Sequence, residues 1–175
     1  MTESLNRRCA AIEMLILDVD GVLTDGRIIY SDAGEELKAF HVRDGSGLKL
    51  WLRLGKRAGI ITGRTSPVVE RRANELGLTA VVQGAEDKRI AYERMLREQD
   101  LDASRVGYVG DDLPDVPLLQ RSGLAIAVAD ACAEAKRAAH HVTLAMGGRG
   151  AVREAIELIL RAQGRWHEVV ARFAG

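Results

Sequence analysis

The feature that most constrains this chain is a rhythm of short, largely apolar runs separated by helix-like stretches. Met14–Leu17, Ala58–Thr62, Ala80–Gln83, Arg105–Val109, Leu124–Val128 and His141–Thr143 read as six strands. Helical patterns cover Leu48–Arg57, Pro67–Leu76, Asp87–Gln99 and Ala151–Leu160. Pro67 follows Ser66 as a first helical residue follows its cap. Val152, Ile156, Ile159 and Leu160 fall on one helix face, the spacing of a core-facing stripe. Strands that are apolar throughout, rather than alternating, belong to a parallel sheet covered on both sides. The βαβα order therefore predicts an α/β fold: a doubly wound, Rossmann-like parallel sheet with helices on both faces. In such sheets ligands bind beyond the carboxyl ends of the strands.

Asp25–Phe40 breaks the rhythm. A short apolar run, a Ser-Asp-Ala-Gly turn and an alternating Glu35–Phe40 predict a β-hairpin flap just after the first strand. The 175 residues fit one domain spanning 1–175. Trp166, Val169, Val170 and Phe173 have helical spacing and mark 163–175 as a tail helix that packs on a subunit. No apolar run approaches the ~18 residues of a membrane span. The polar start, residues 1–8, has no signal-peptide pattern. A cytoplasmic protein without a membrane partner is expected. Lys and Arg number 25 against 25 Asp and Glu, so the basic footprint of a nucleic-acid binder is absent. Cys9 and Cys132 lack metal or redox spacing.

The strand ends carry the chemistry. Asp18 and Asp20, in Asp18-Val19-Asp20-Gly21, follow the first strand; Asp18 suits a nucleophile or metal ligand, Asp20 a proton donor. Thr62-Gly63-Arg64 ends the second strand with a hydroxyl, a free amide and a guanidinium, groups that suit an oxyanion such as phosphate. Lys88 stands at a helix N-terminus, against the helix dipole, which favours a nearby anion. Gly110-Asp111-Asp112-Leu113-Pro114-Asp115 crowds three carboxylates whose repulsion a bound Mg²⁺ would relieve. Together these form a set of parts for phosphoryl transfer.

DVDGV (18–22), TGR (62–64), Lys88 and GDDLPD (110–115) resemble, in order, the four motifs of the haloacid dehalogenase phosphatase superfamily, across residues 14 to about 160. DVDGVLTDGRIIY, GEELKAFHVRDG and GGRGAVREA are similar to its capless family of sugar-acid phosphatases acting on 3-deoxy-D-manno-octulosonate 8-phosphate, a lipopolysaccharide precursor. The resemblance implies roles. Asp18 would attack phosphorus and Asp20 would serve as acid and then base. Thr62 and Lys88 would hold the phosphoryl group. Mg²⁺ would sit on Asp18, the Asp20 carbonyl and Asp111, with Asp112 and Asp115 supporting from behind. Gly63, Arg64, Arg72, His41, Arg43, Asp44, Gly45 and Lys49 would bind the sugar acid, Arg72 reaching a neighbour's site and Arg149 a further contact. His41 stands where the family more often has Asn.

The stretches Asp18–Thr62 and Thr62–Lys88 leave no room for a cap domain. An uncapped site needs other cover, and the capless family forms homotetramers, so the hairpin is expected at subunit contacts. A sister family acting on nine-carbon sialic-acid-type 9-phosphates tends to carry Glu at the position of Arg64, which favours the eight-carbon substrate here. A non-enzymatic receiver domain with a phospho-accepting Asp is the rival from another class; Asp20 and the hairpin argue against it.

Overall fold

The structure, a computed structural model, describes residues 2–173. After α1 (Glu3–Ala11), β1 (Met14–Leu17) leads into a small hairpin of β2 (Ile29–Tyr30) and β3 (Glu36–Leu37). There follow α2 (Val42–Arg53), β4 (Arg57–Ile61), α3 (Pro67–Leu76), β5 (Ala80–Val82), α4 (Lys88–Glu98) and β6 (Val106–Gly110). The chain closes with α5 (Val116–Arg121), β7 (Leu124–Ala127), α6 (Ala133–Ala138), β8 (His141–Val142), α7 (Ala151–Ala162) and α8 (Trp166–Ala171).

Six strands pair in parallel in the order β5-β4-β1-β6-β7-β8. Every residue of β1, β6 and β7 is buried. Successive strand side chains point to opposite faces, so both faces are covered. Two groups of helices supply the cover: α2 packs on α3 and α7, with α7 on α1, while α4 and α6 pack on α5. Trp51, Tyr92 and Tyr108 are the largest fully buried side chains. Their polar tips are partnered, Trp51 Nε1 donating to the Arg57 carbonyl at 2.7 Å and Tyr92 meeting Ser122 at 3.0 Å.

The chain winds outward from β1 through β4 to β5, then crosses to β6 on the other flank of β1. That reversal opens a crevice at the carboxyl ends of β1 and β6, the expected place for a ligand. Between β1 and β4 lie only the hairpin and α2, and between β4 and β5 only α3. No cap interrupts either connection.

Some local expectations are corrected. The helix expected over 48–57 is α2 at Val42–Arg53, and Arg57 already belongs to β4. Gly45 and Gly47 hide its first turns from propensity. Gly47 eases the close approach of α7: a Cβ there would stand 3.0 Å from Arg153 Cδ. The hairpin is shorter than 25–40 suggests, with two residues in each strand. Helices α1 and α6 lie outside the sequence expectations. Within the expected tail, α8 buries Val169 and leaves Val170 and Phe173 exposed; residues 174 and 175 lie outside the described residues.

Candidate active site

Asp18 is the first residue beyond β1, and its amide donates to the Val109 carbonyl at 3.1 Å. The chain then folds back sharply. Gly21 has φ +93°, and a Cβ there would overlap the Asp111 carboxylate. This turn needs glycine for conformation and for space. Gly147 packs as tightly against the Gly21 carbonyl, and Gly148 donates to the Val22 carbonyl at 2.8 Å. The Gly147–Gly150 segment therefore braces the Asp18–Gly21 loop. Arg149 lies 3.9 Å from Asp25, outside the crevice.

Lys88, the first residue of α4, reaches back into the crevice. Its Nζ lies 3.0 Å from Asp18 Oδ1 and donates to Asp115 Oδ1 at 2.7 Å. Burial opposes its charge, but Asp18 and Asp115 outweigh burial and hold its pKa above the ordinary lysine value. Asp115 is fully buried and accepts from four donors: Lys88, the Tyr108 hydroxyl at 2.6 Å, and the amides of Asp111 and Asp112 at 3.0 and 3.2 Å. A buried carboxylate needs that degree of satisfaction.

Asp18, Asp111 and Asp115 bring carboxylate oxygens within 4.8 Å of one another. Burial first, then the charge of Asp115, raises Asp18 to about 6 and Asp111 to about 8. Asp111 Oδ1 is buried with no hydrogen-bond partner, and Asp18 Oδ1 has the Lys88 charge without an aligned hydrogen bond. Asp115 is committed to its donors. Asp18 and Asp111 thus offer unsatisfied hard oxygens in a buried, mutually repelling pair, a donor set that fits Mg²⁺. The Asp20 carboxylate is engaged elsewhere, by Lys38.

The crevice encloses about 330 Å³ and brings together Asp18, Asp20, Thr62, Gly63, Arg64 and Lys88 with Asp111, Asp112 and Asp115. The other expected sugar-binding residues lie apart within the chain. Gly45, Lys49 and Arg72 line a separate cleft of about 400 Å³. There Arg72 lies 5.7 Å from the Phe40 ring centre and pairs with Glu75 at 3.2 Å. Arg43 borders a third groove beside α7. Asp44 is buried and caps α7, accepting from the amides of Gly150 and Arg153 at 3.2 and 2.7 Å. His41 Nδ1 is buried, 3.9 Å from Asp44, without a hydrogen-bond partner. Adjacent residues of a helix face different sides, so a run compact in sequence is dispersed by α2.

Three contributors went unread in the sequence. Lys38 and Glu36 from the hairpin reach the crevice edge: Lys38 pairs with Asp20, and Glu36 accepts from Arg64 at 2.7 Å. The alternation Glu36-Leu37-Lys38, which puts both charges on one face, was the available signal. Tyr108, inside an apolar strand, gave none.

Comparison with known proteins agrees with this geometry. Residues 60–156 match the haloacid dehalogenase-like hydrolase family. The 3-deoxy-D-manno-octulosonate 8-phosphate phosphatase KdsC of Yersinia pestis is 46% identical over 165 residues, covering 94% of this chain and 88% of that protein. A probable YrbI family phosphatase from Pseudomonas syringae superposes with a TM-score of 0.97 at 43% identity, over 99% of both chains. The corresponding phosphatase of Moraxella catarrhalis, solved with magnesium, phosphate and KDO, gives 0.96 at 39% identity, again over 99% of both. With a family match over residues 60–156 and relatives 39–46% identical over nearly the whole length, the chain belongs to the haloacid dehalogenase-like hydrolase family.

Proposed function

We propose that this protein is a Mg²⁺-dependent phosphatase that hydrolyses 3-deoxy-D-manno-octulosonate 8-phosphate, in lipopolysaccharide precursor synthesis. The observation that carries the proposal is the crevice itself. It sets an unsatisfied, buried Asp18 beside Lys88, Asp20, Thr62 and Arg64 at the carboxyl end of the central strand. The likeness to the KdsC relatives supplies the substrate.

In this reading an Asp18 oxygen attacks phosphorus and the bond to the sugar oxygen breaks. The electron pair leaves with that oxygen, which takes a proton from Asp20. Water then attacks the aspartyl-phosphate and gives its proton to Asp20. The bond to Asp18 breaks, releasing inorganic phosphate and restoring both carboxyl groups. Lys88 and the Thr62 hydroxyl hold the phosphoryl oxygens, with Gly63 lending its amide. Mg²⁺, held by Asp18, Asp111 and the Asp20 carbonyl, would neutralise charge on the transferring group. Asp115 and Asp112 support from behind, Asp115 by fixing Lys88. Arg64, at the rim, suits the substrate carboxylate.

We further propose one domain over 1–175, working in the cytoplasm as a homotetramer. Among the described residues no helix is long and apolar enough to cross a membrane. The hairpin exposes Ile28, Ile29, Tyr30 and Leu37, an apolar patch of the kind that marks an interface. Arg72, Lys49 and Gly45, remote from their own crevice, would then serve a neighbour's.

Phosphate release from the octulosonate 8-phosphate and from a nonulosonate 9-phosphate, with Mg²⁺ or EDTA, tests the reading. Multiple turnovers of the first, abolished by EDTA and by Asp18→Asn, are expected. Preference for the second would overturn the substrate, and a single labelling event without turnover would indicate a receiver.

A further inference from the structure

Lys38 is the one hairpin side chain whose burial its surroundings do not ask for. It sits just beyond β3, on a flap whose Tyr30 and Leu37 are 62% and 50% exposed, yet its own side chain is 1% exposed. Sinking an ammonium costs several kcal/mol unless opposite charge meets it. Two carboxylates do. Its Nζ donates to Asp20 Oδ1 and lies 3.5 Å from Glu36 Oε1. Glu36 in turn accepts from Arg64 at 2.7 Å, and Arg64 Nε stands 3.6 Å from the second Asp20 oxygen, Oδ2. The Asp20 carboxylate is thereby bracketed, Oδ1 by the buried lysine and Oδ2 by the half-exposed arginine.

The two grips are unequal. A fully buried amine with two partners has few rotamers left, whereas Arg64, half-exposed at the rim, can exchange its Glu36 partner for a ligand. Oδ1 is therefore the anchored oxygen and Oδ2 the one presented to the cleft.

Resting on the phosphatase reading, we propose that Lys38 is a positioning residue for the first half-reaction. It clamps Asp20 Oδ1; when Arg64 turns to the bound substrate, Oδ2 is left to take up a proton from solvent and pass it to the departing oxygen. A carboxyl group free to swing loses that alignment, and misplacement by about 1 Å is worth about 10²-fold in rate. Because Lys38 rides on the hairpin, Asp20 is aligned only when the flap is seated.

Protonation matters in proportion to how poor the leaving group is, which separates this role from folding or phosphate binding. The experiment measures kcat/KM, which reports through leaving-group departure, for a series running from nitrophenyl phosphate through less acidic phenyl phosphates to the octulosonate 8-phosphate. It compares full-length wild type, Lys38→Met and Asp20→Asn in Mg²⁺. Lys38→Met is expected to lose about 10²-fold on the sugar phosphate and less than about 5-fold on nitrophenyl phosphate. Its dependence on leaving-group acidity should steepen toward that of Asp20→Asn. Lys38→Gln, shorter and uncharged but still a donor, is measured alongside and decides the matter if the methionine variant does not fold; its slope should lie between. A uniform loss across the series, or no loss, would overturn the proposal. Failure of the phosphatase reading looks different: the wild type would not turn over the sugar phosphate, or Asp20→Asn would show no leaving-group dependence.

Discussion

Asp115 Oδ1 accepts from Lys88 at 2.7 Å across 27 residues of chain, while Asp115 itself is fully buried. The pair joins the start of α4 to the turn before α5 and leaves the lysine aimed at Asp18. Removing one partner from a buried ion pair leaves an unpaired charge and costs about 3–5 kcal/mol. Asp115→Ala should lose stability of that order in urea unfolding. The milder Asp115→Asn should fold but lose at least about 10²-fold in turnover, because Lys88 is no longer held. A loss below about 1 kcal/mol for the alanine variant would show that Asp115 does not organise the site.

Proton linkage gives a second expectation. In the metal-free protein burial and Asp115 raise Asp18 to about 6 and Asp111 to about 8. Both exceed the unfolded carboxylate value of about 3.9. The folded state then binds more protons than the unfolded one between those values, so stability falls as pH rises. Metal-free Tm should decline from pH 5 to 8. Added Mg²⁺, which binds the ionised carboxylates, should raise Tm more at pH 8 than at pH 5.5. An equal Mg²⁺ shift at both pH values would contradict the Asp18–Asp111 site.

Arg64 is held at the rim by Glu36 at 2.7 Å. Arg64→Glu would set like charges there and remove the cation proposed to meet the substrate carboxylate. Turnover of the octulosonate 8-phosphate should fall by at least about 10-fold, the loss of one charge-assisted hydrogen bond. The nonulosonate 9-phosphate should lose less. Equal losses on the two substrates would remove Arg64 from specificity.

The exposed hairpin face predicts assembly. Ile29→Lys combined with Leu37→Glu should yield a smaller species by light scattering without loss of helical circular dichroism. Sugar-phosphate turnover should drop in parallel, since the flap carries Lys38. An unchanged molar mass would show that the hairpin is not a subunit contact.

Much of this was legible because the chemistry sits where strands end. Met14–Leu17 and Leu124–Val128 announce themselves by unbroken apolarity, and a parallel sheet aligns their carboxyl ends whatever the loops do. Asp18, Thr62, Lys88 and Asp111 can therefore be grouped from the order of residues alone. The segment after the hairpin was not legible in this way. Gly45 and Gly47 lower helix propensity, which masks the true start of α2, and His41, Arg43, Asp44 and Lys49 enter as sugar-binding residues only through the family resemblance. Their separation follows from a helical turn of about 100° per residue.

What the amino-acid order determined alone was the layered fold, the absence of a cap and the four strand-end motifs, because periodicity and strand polarity are local properties that survive any packing. What only the tertiary structure decided was which charges meet. Lys38 finding Asp20, Asp44 capping α7 and Asp115 gathering Lys88 are contacts between residues 18 to 109 positions apart; only the remaining Asp115 donors are near in sequence, 3 to 7 positions away. Long-range pairing of this kind depends on how burial makes each charge seek a partner; a local pattern such as Glu36-Leu37-Lys38 shows which face a charge takes, not which partner it meets.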